Sequence, residues 1–159
     1  MNAIAGNRAS SFVASLFRPD HDRHEGVRPI QIHLLRVLYL LMFVGVGLPT
    51  WGEVLRHAGP WDHVRAVAAC VWVAYPTLGV LGLLNPLRML PLVVFMLFYK
   101  TLWLAVVAWP LWSGGQLAAS PANEMAHVFA GVIAIYPIVP WGHVLRTWLR
   151  LPARTRAAR

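Results

Sequence analysis

The stretch MLPLVVFMLFYKTLWLAVVAWPLW, residues 89–112, decides the fold. A hydrocarbon core of about 30 Å needs roughly 20 residues of apolar helix to cross it, and this run is long enough. Lys100, the only lysine of the chain, lies near its middle. An ammonium at that depth costs about 2.5 kcal/mol or more unless it finds a partner or a water-filled cavity, so an intramembrane lysine is a functional candidate by default.

Three further stretches have the same character. The expected spans cover residues 29–50, 64–84, 89–111 and 125–145, each bounded by charges, Trp, Pro or Gly. A span must satisfy its backbone hydrogen bonds internally, and none of the four shows strand alternation, so all four are expected to be helices. The composition agrees: 58% of the 159 residues are hydrophobic and 13% are charged, with a mean hydropathy of +0.56. The expected fold class is therefore an all-α membrane protein, a four-transmembrane-helix antiparallel bundle. Residues 1–28 form an N-terminal tail, 29–148 the transmembrane domain and 149–159 a basic C-terminal tail. The polar opening lacks the features of a cleavable signal, so the first span is expected to serve as the targeting signal.

Charge sets the orientation. Eleven of the fourteen basic residues, including Arg8, Arg36, Arg88 and Arg146, fall on one side if the N-terminus is cytoplasmic, and only Arg56 and Arg65 fall opposite. The positive-inside rule places both termini and the turn near Arg88 in the cytoplasm, as for a bacterial inner-membrane protein. Residues 8–18 put Phe12, Val13, Leu16 and Phe17 at helical spacing between basic ends, a pattern for an interfacial helix. The basic residues form no dense stripe, so nucleic-acid binding is not expected. Cys70, the single cysteine, excludes an intramolecular disulfide and reads as a packing residue.

A shift of 61 residues carries Pro49 and Trp51 onto Pro110 and Trp112, and Tyr75-Pro76 onto Tyr136-Pro137. Two tandem helical hairpins, related by an axis along the membrane normal, are the expected source of that internal repeat. The shift also sets Tyr39 opposite Lys100.

Each of the four tyrosines, Tyr39, Tyr75, Tyr99 and Tyr136, falls near the middle of a different span. Phenols in hydrocarbon need hydrogen-bond partners and an ammonium can donate three bonds. Lys100 is therefore expected to point inward and donate to tyrosine oxygens and to carbonyls freed by Pro76 and Pro137. No Asp or Glu lies within any span, so the network either closes on itself and fixes helix packing, or holds a lipophilic or anionic ligand.

At the opposite surface Glu53, His57, His63, Glu124 and His127 are chemically suited to a divalent metal, with Glu124 and His127 on one helical face. Asp20, His21, Asp22, His24 and Glu25 offer a second chelating segment. His33 and His143 could ligate a b-type haem axially. Loop solvation and capping are the simpler reading in each case, and no cofactor is expected.

The chain lacks a nucleophile elbow, a His-Glu-x-x-His pair, a phosphate-cradling loop and a dinucleotide fingerprint. It therefore reads as a non-enzymatic accessory or assembly component of a larger membrane complex, with membrane-protein partners or further copies of itself. The alternative is a small binder or transporter of a lipophilic or anionic ligand at Lys100, Tyr39, Tyr75, Tyr99 and Tyr136. A redox enzyme is the most distant reading.

Overall fold

The computed structural model describes residues 26–148 and is helical along most of that length. The tails, with the expected interfacial helix at 8–18, the chelating segment at 20–25 and the terminal arginines, lie outside the described residues. Three long apolar helices come first: α1, Pro29–Arg56, α2, His63–Leu83, and α3, Leu90–Ser113. Two short helices follow, α4, Ala122–Ala130, and α5, Trp141–Trp148.

Local chemistry sets the boundaries. Proline occupies the first turn of both α1 and α3, where its missing N–H costs nothing and its fixed φ already suits a helix. Asp62 caps α2 by accepting from the Arg65 backbone N–H at 2.8 Å. Gly59, between α1 and α2, and Gly115, just past α3, adopt positive φ where the chain turns.

The first helix runs six residues beyond its expected end at Thr50, because Pro49 is absorbed without ending the helix. A π turn at Phe43–Gly47 precedes it, in which the Leu48 N–H donates to the Phe43 carbonyl five residues back. The same device precedes Pro110: a π turn at Leu104–Ala108, with the Trp109 N–H donating to the Leu104 carbonyl. One extra residue widens the turn and makes room for the proline ring. Helix starts and π turns of α1 and α3 thus fall in register at a shift of 61 residues. Their buried faces do too, through Ile32 and Val93, Leu35 and Met96, Tyr39 and Lys100, and Gly47 and Ala108.

The fourth span departs from expectation. Residues 125–145 do not form one helix; α4 ends at Ala130, a 3-10 turn covers Gly131–Ala134, turns follow, and α5 starts at Trp141. Pro137 and Pro140 remove two backbone donors within four residues and bias Tyr136 and Val139 away from helical dihedrals. The chain closes with short-range bonds instead, Ile135 N–H to the Val132 carbonyl at 2.9 Å and Ile138 N–H to Ile135 at 3.0 Å. The indole of Trp141 donates to the Tyr136 carbonyl at 2.9 Å. In α2, by contrast, Pro76 sits inside an unbroken helix.

Neighbouring helices pack closely in the first hairpin. A Cβ added to Gly47 would lie 3.2 Å from the Pro76 Cβ, and the Trp51 indole donates to the Thr77 hydroxyl at 3.0 Å. The core lies toward the turn between α2 and α3. It joins Leu35, Leu38, Tyr39 and Met42 of α1 to Leu90, Val93, Met96 and Leu97 of α3, with Tyr75, Val132, Val139 and Val144 completing it.

Tyr39 is the wedge of that core. Its side chain is fully buried, its hydroxyl donates to the Pro86 carbonyl at 2.9 Å, and its ring lies directly on the Cα of Gly82. Glycine is required at 82, since any Cβ would overlap the ring. Gly82→Ala is expected to lower stability in detergent by about 1–3 kcal/mol, the range for overpacking a tight core. At Gly45 an added Cβ meets open space, so Gly45→Ala should stay within about 1 kcal/mol of wild type or gain slightly. Denaturant unfolding of both variants checks this, and equal stabilities would contradict the packing of Tyr39.

Candidate functional site

Lys100 sits ten residues beyond the start of α3 at Leu90, about 15 Å along the helix at 1.5 Å per residue. It falls on the buried stripe of α3 with Val93, Met96 and Leu97, and its side chain is 8% exposed. Its Nζ lies 5.1 Å from the centroid of the Phe129 ring in α4. Phe129 is buried and also meets Tyr99 and Trp103 edge to face, with centroids 5.8 and 5.1 Å apart. The amine therefore rests against an aromatic cluster built by α3 and α4.

The tyrosines find other partners. Tyr75 and Tyr99 share a hydrogen bond of 3.1 Å between their hydroxyls, linking α2 to α3, with Phe95 packed against both rings. The Tyr136 hydroxyl bonds that of Thr101 at 2.9 Å, linking the broken segment to α3. Tyr39 lies apart, bonded to the turn at Pro86. The structure thus gathers Tyr75, Tyr99, Lys100 and Tyr136 along α3, while the expected lysine-to-phenol bonds are replaced by phenol-to-hydroxyl and phenol-to-carbonyl bonds. Lys100 makes no hydrogen bond to any of them.

Sequence reasoning missed Phe129, Thr101 and Trp103. A signal for Phe129 was present in part: with no carboxylate in any span, an aromatic face is the remaining attractive partner for a buried cation. Such a contact contributes about 0.5–2 kcal/mol, less than the cost of about 2.5 kcal/mol or more that an ammonium would carry if this helix crosses a bilayer. The ring alone leaves the amine undercompensated.

No sealed side-chain nitrogen or oxygen among the described residues lacks a hydrogen-bond partner. Because the Lys100 amine makes none, its Nζ is not completely sealed, although the residue is buried. An ammonium with unused donors attracts anions.

The surface candidates separate. Glu53 pairs with Arg65 at 2.7 Å, and the two line a polar cleft of about 500 Å³ with Arg56 and His57. The His57 ring stacks on Trp61 with centroids 3.6 Å apart. His63 opens α2. Glu124 and His127 lie on α4, where His127 borders a second, apolar groove of about 470 Å³ between α3 and α4. Among the described residues no three His, Cys, Asp or Glu side chains gather as a metal site would require. His33 is exposed on α1, whereas His143 is buried in α5.

No protein family, curated protein or solved structure matches this chain.

Lys100→Met is one atom shorter, but it retains an unbranched side chain able to contact the Phe129 ring while removing the charge. Replacing an undercompensated buried charge by an apolar side chain is typically neutral or stabilising. The isolated Lys100→Met protein should accordingly unfold at the same or higher denaturant concentration than wild type. Tyr99→Phe, which removes the bond to Tyr75, should cost about 0.5–1.5 kcal/mol. A Lys100→Met variant destabilised more than Tyr99→Phe would assign the lysine to helix packing instead.

Proposed function

We propose that this chain is a small multi-pass protein of the bacterial inner membrane, with both termini cytoplasmic, that serves as a non-enzymatic accessory or assembly component of a larger membrane complex. Large apolar side chains face outward on all three long helices, among them Leu41 at 61%, Val67 at 65% and Phe98 at 68% exposure. Water would penalise such a surface and acyl chains would not. The asymmetry of basic residues, eleven against two, supports the orientation.

The observation that carries the accessory role is the break in the fourth span. Gly131, Ile133 and Ala134 of the 3-10 turn, and Tyr136 and Pro137 in the turns beyond it, are exposed where α-helix is interrupted. Hydrocarbon offers no hydrogen bonds, so irregular backbone at membrane depth persists only where protein covers it or where it lines a watery cavity. A partner chain lying over this segment is the cover favoured by its surroundings, since the adjoining groove is lined by Leu104, Trp109, Trp112 and Ile133 with little polar surface.

The shared register of α1 and α3 supports an internal duplication of one helical hairpin. On that reading the first hairpin stays closed, with Pro76 held against Gly47, and the second has opened a face for docking.

The test uses photo-crosslinkers attached to single cysteines in a Cys70→Ser background, within native membranes. Ile133→Cys, on the broken segment, should give adducts of one defined protein mass, whereas Leu41→Cys, on the continuous α1, should react with lipid only. Lipid adducts alone at both positions would contradict the docking role.

A further inference from the structure

We propose that Lys100 is the docking point for a carboxylate carried into the bilayer by a transmembrane helix of the partner. This inference rests on the accessory reading and gives the partner its chemistry. Three observations carry it.

The first is the state of the amine. Lys100 is buried at 8% exposure, makes no hydrogen bond, and has its Nζ 5.1 Å from the centroid of one ring, Phe129. Every tyrosine hydroxyl near it is engaged elsewhere, and the amine is not sealed. It is a donor of three hydrogen bonds with an unfilled complement.

The second is the distribution of acids. Glu53 and Asp62 lie at the far ends of α1 and α2, the one paired with the Arg65 side chain and the other capping its backbone. Glu124 occupies the first turn of α4. Asp20, Asp22 and Glu25 precede α1. No carboxylate is built into the apolar length of this chain, so the complementary charge comes from another molecule.

The third is the shape beside the lysine. The groove between α3 and α4 begins at Leu104, one helical turn past Lys100, and includes the small residues Ala108, Ala126 and Ala130. Small side chains let a second helix backbone approach closely in a bilayer. Lys100 lies one turn beyond the groove's end and not in its lining, so a helix seated there and continued along α3 past Leu104 brings a single Asp or Glu of its apolar run to the ammonium. Two charges that are each unfavourable alone in hydrocarbon become mutually compensated, which makes association selective for partners bearing that acid.

Because Lys100 is the only lysine, a zero-length amide crosslink to a lysine side chain in this protein reports this one residue. Native membranes containing the full chain are treated with dicyclohexylcarbodiimide, a membrane-permeant reagent. It activates a carboxylate and leaves as dicyclohexylurea while the Lys100 amine attacks the acyl carbon to form an amide. Mass spectrometry then locates the bond, and native gels measure the complex. The expected product joins Lys100 to an Asp or Glu within an apolar segment of another polypeptide. Lys100→Arg should abolish the amide yet keep the complex, because guanidinium retains the charge, while Lys100→Met should reduce the complex by about ten-fold or more.

An amide to this chain's own Glu124, an amide to a small lipophilic acid, or no adduct would each overturn the proposal. So would a Lys100→Met complex of undiminished yield. If wild type yields a complex that ignores Lys100, the carboxylate inference alone fails. If wild type runs only as a monomer and Ile133→Cys captures only lipid, the accessory reading fails with it.

Discussion

Backbone hydrogen bonding around proline, along helices long and apolar enough to cross a bilayer, is the constraint on which this fold rests. Pro49, Pro76, Pro110 and Pro137 each fall well inside an apolar stretch, where each removes a donor and crowds the carbonyl four residues back. Three are absorbed. Pro49 and Pro110 each follow a π turn, and Pro76 packs against Gly47 inside a continuous helix. Pro137 is not absorbed, because Pro140 follows it so closely that one widened turn cannot serve both. The chain breaks there and covers part of its exposed polarity with short turns and the Trp141 indole.

The helices α1 and α3 use one slot differently. Tyr39 and Lys100 occupy the same position in α1 and α3, ten residues beyond starts that align at a shift of 61. Tyr39 reaches the Pro86 carbonyl and closes on Gly82, which locks α1 to the turn between α2 and α3. Lys100 meets the Phe129 ring and makes no hydrogen bond, and that attraction is smaller than what an ammonium would cost in hydrocarbon. The first slot is finished within the chain and the second is left with an unfilled donor. That difference, beside the exposed break between α4 and α5, is what favours the proposed role completed by a partner.

Much of this was legible in the sequence. The expected bounds of α2 and α3 fall within two residues of those observed, since apolar length and flanking charge or turn residues fix both ends. The 61-residue shift was legible from Pro49, Trp51 and Tyr75, although composition alone gave no sign of the matching π turns. The end of α1 was misplaced because Pro49 reads as a stop, whereas a π turn lets the helix continue. The unbroken fourth helix was misjudged for the opposite reason: Pro137 was weighed as a kink, without the added effect of Pro140 three residues later. Depth along each stretch brings Tyr75, Tyr99, Lys100 and Tyr136 into consideration together, and the structure ties Tyr75 and Tyr136 to α3 through hydroxyl bonds while Tyr39 lies apart. Their pairing was not legible. Which phenol meets which hydroxyl depends on helix rotation, and the Phe129 partner of Lys100 depends on where α4 ends.

The central claim is that the long helices thread a bilayer, with the loops after α1 and α3 on one side and the turn after α2 on the other. Thiol labelling in sealed spheroplasts, with a membrane-impermeant maleimide and single cysteines in a Cys70→Ser background, measures it directly. Ala58→Cys and Gly115→Cys should label in intact spheroplasts, and Asn85→Cys only after the membrane is opened. Equal labelling of all three before opening would contradict the account.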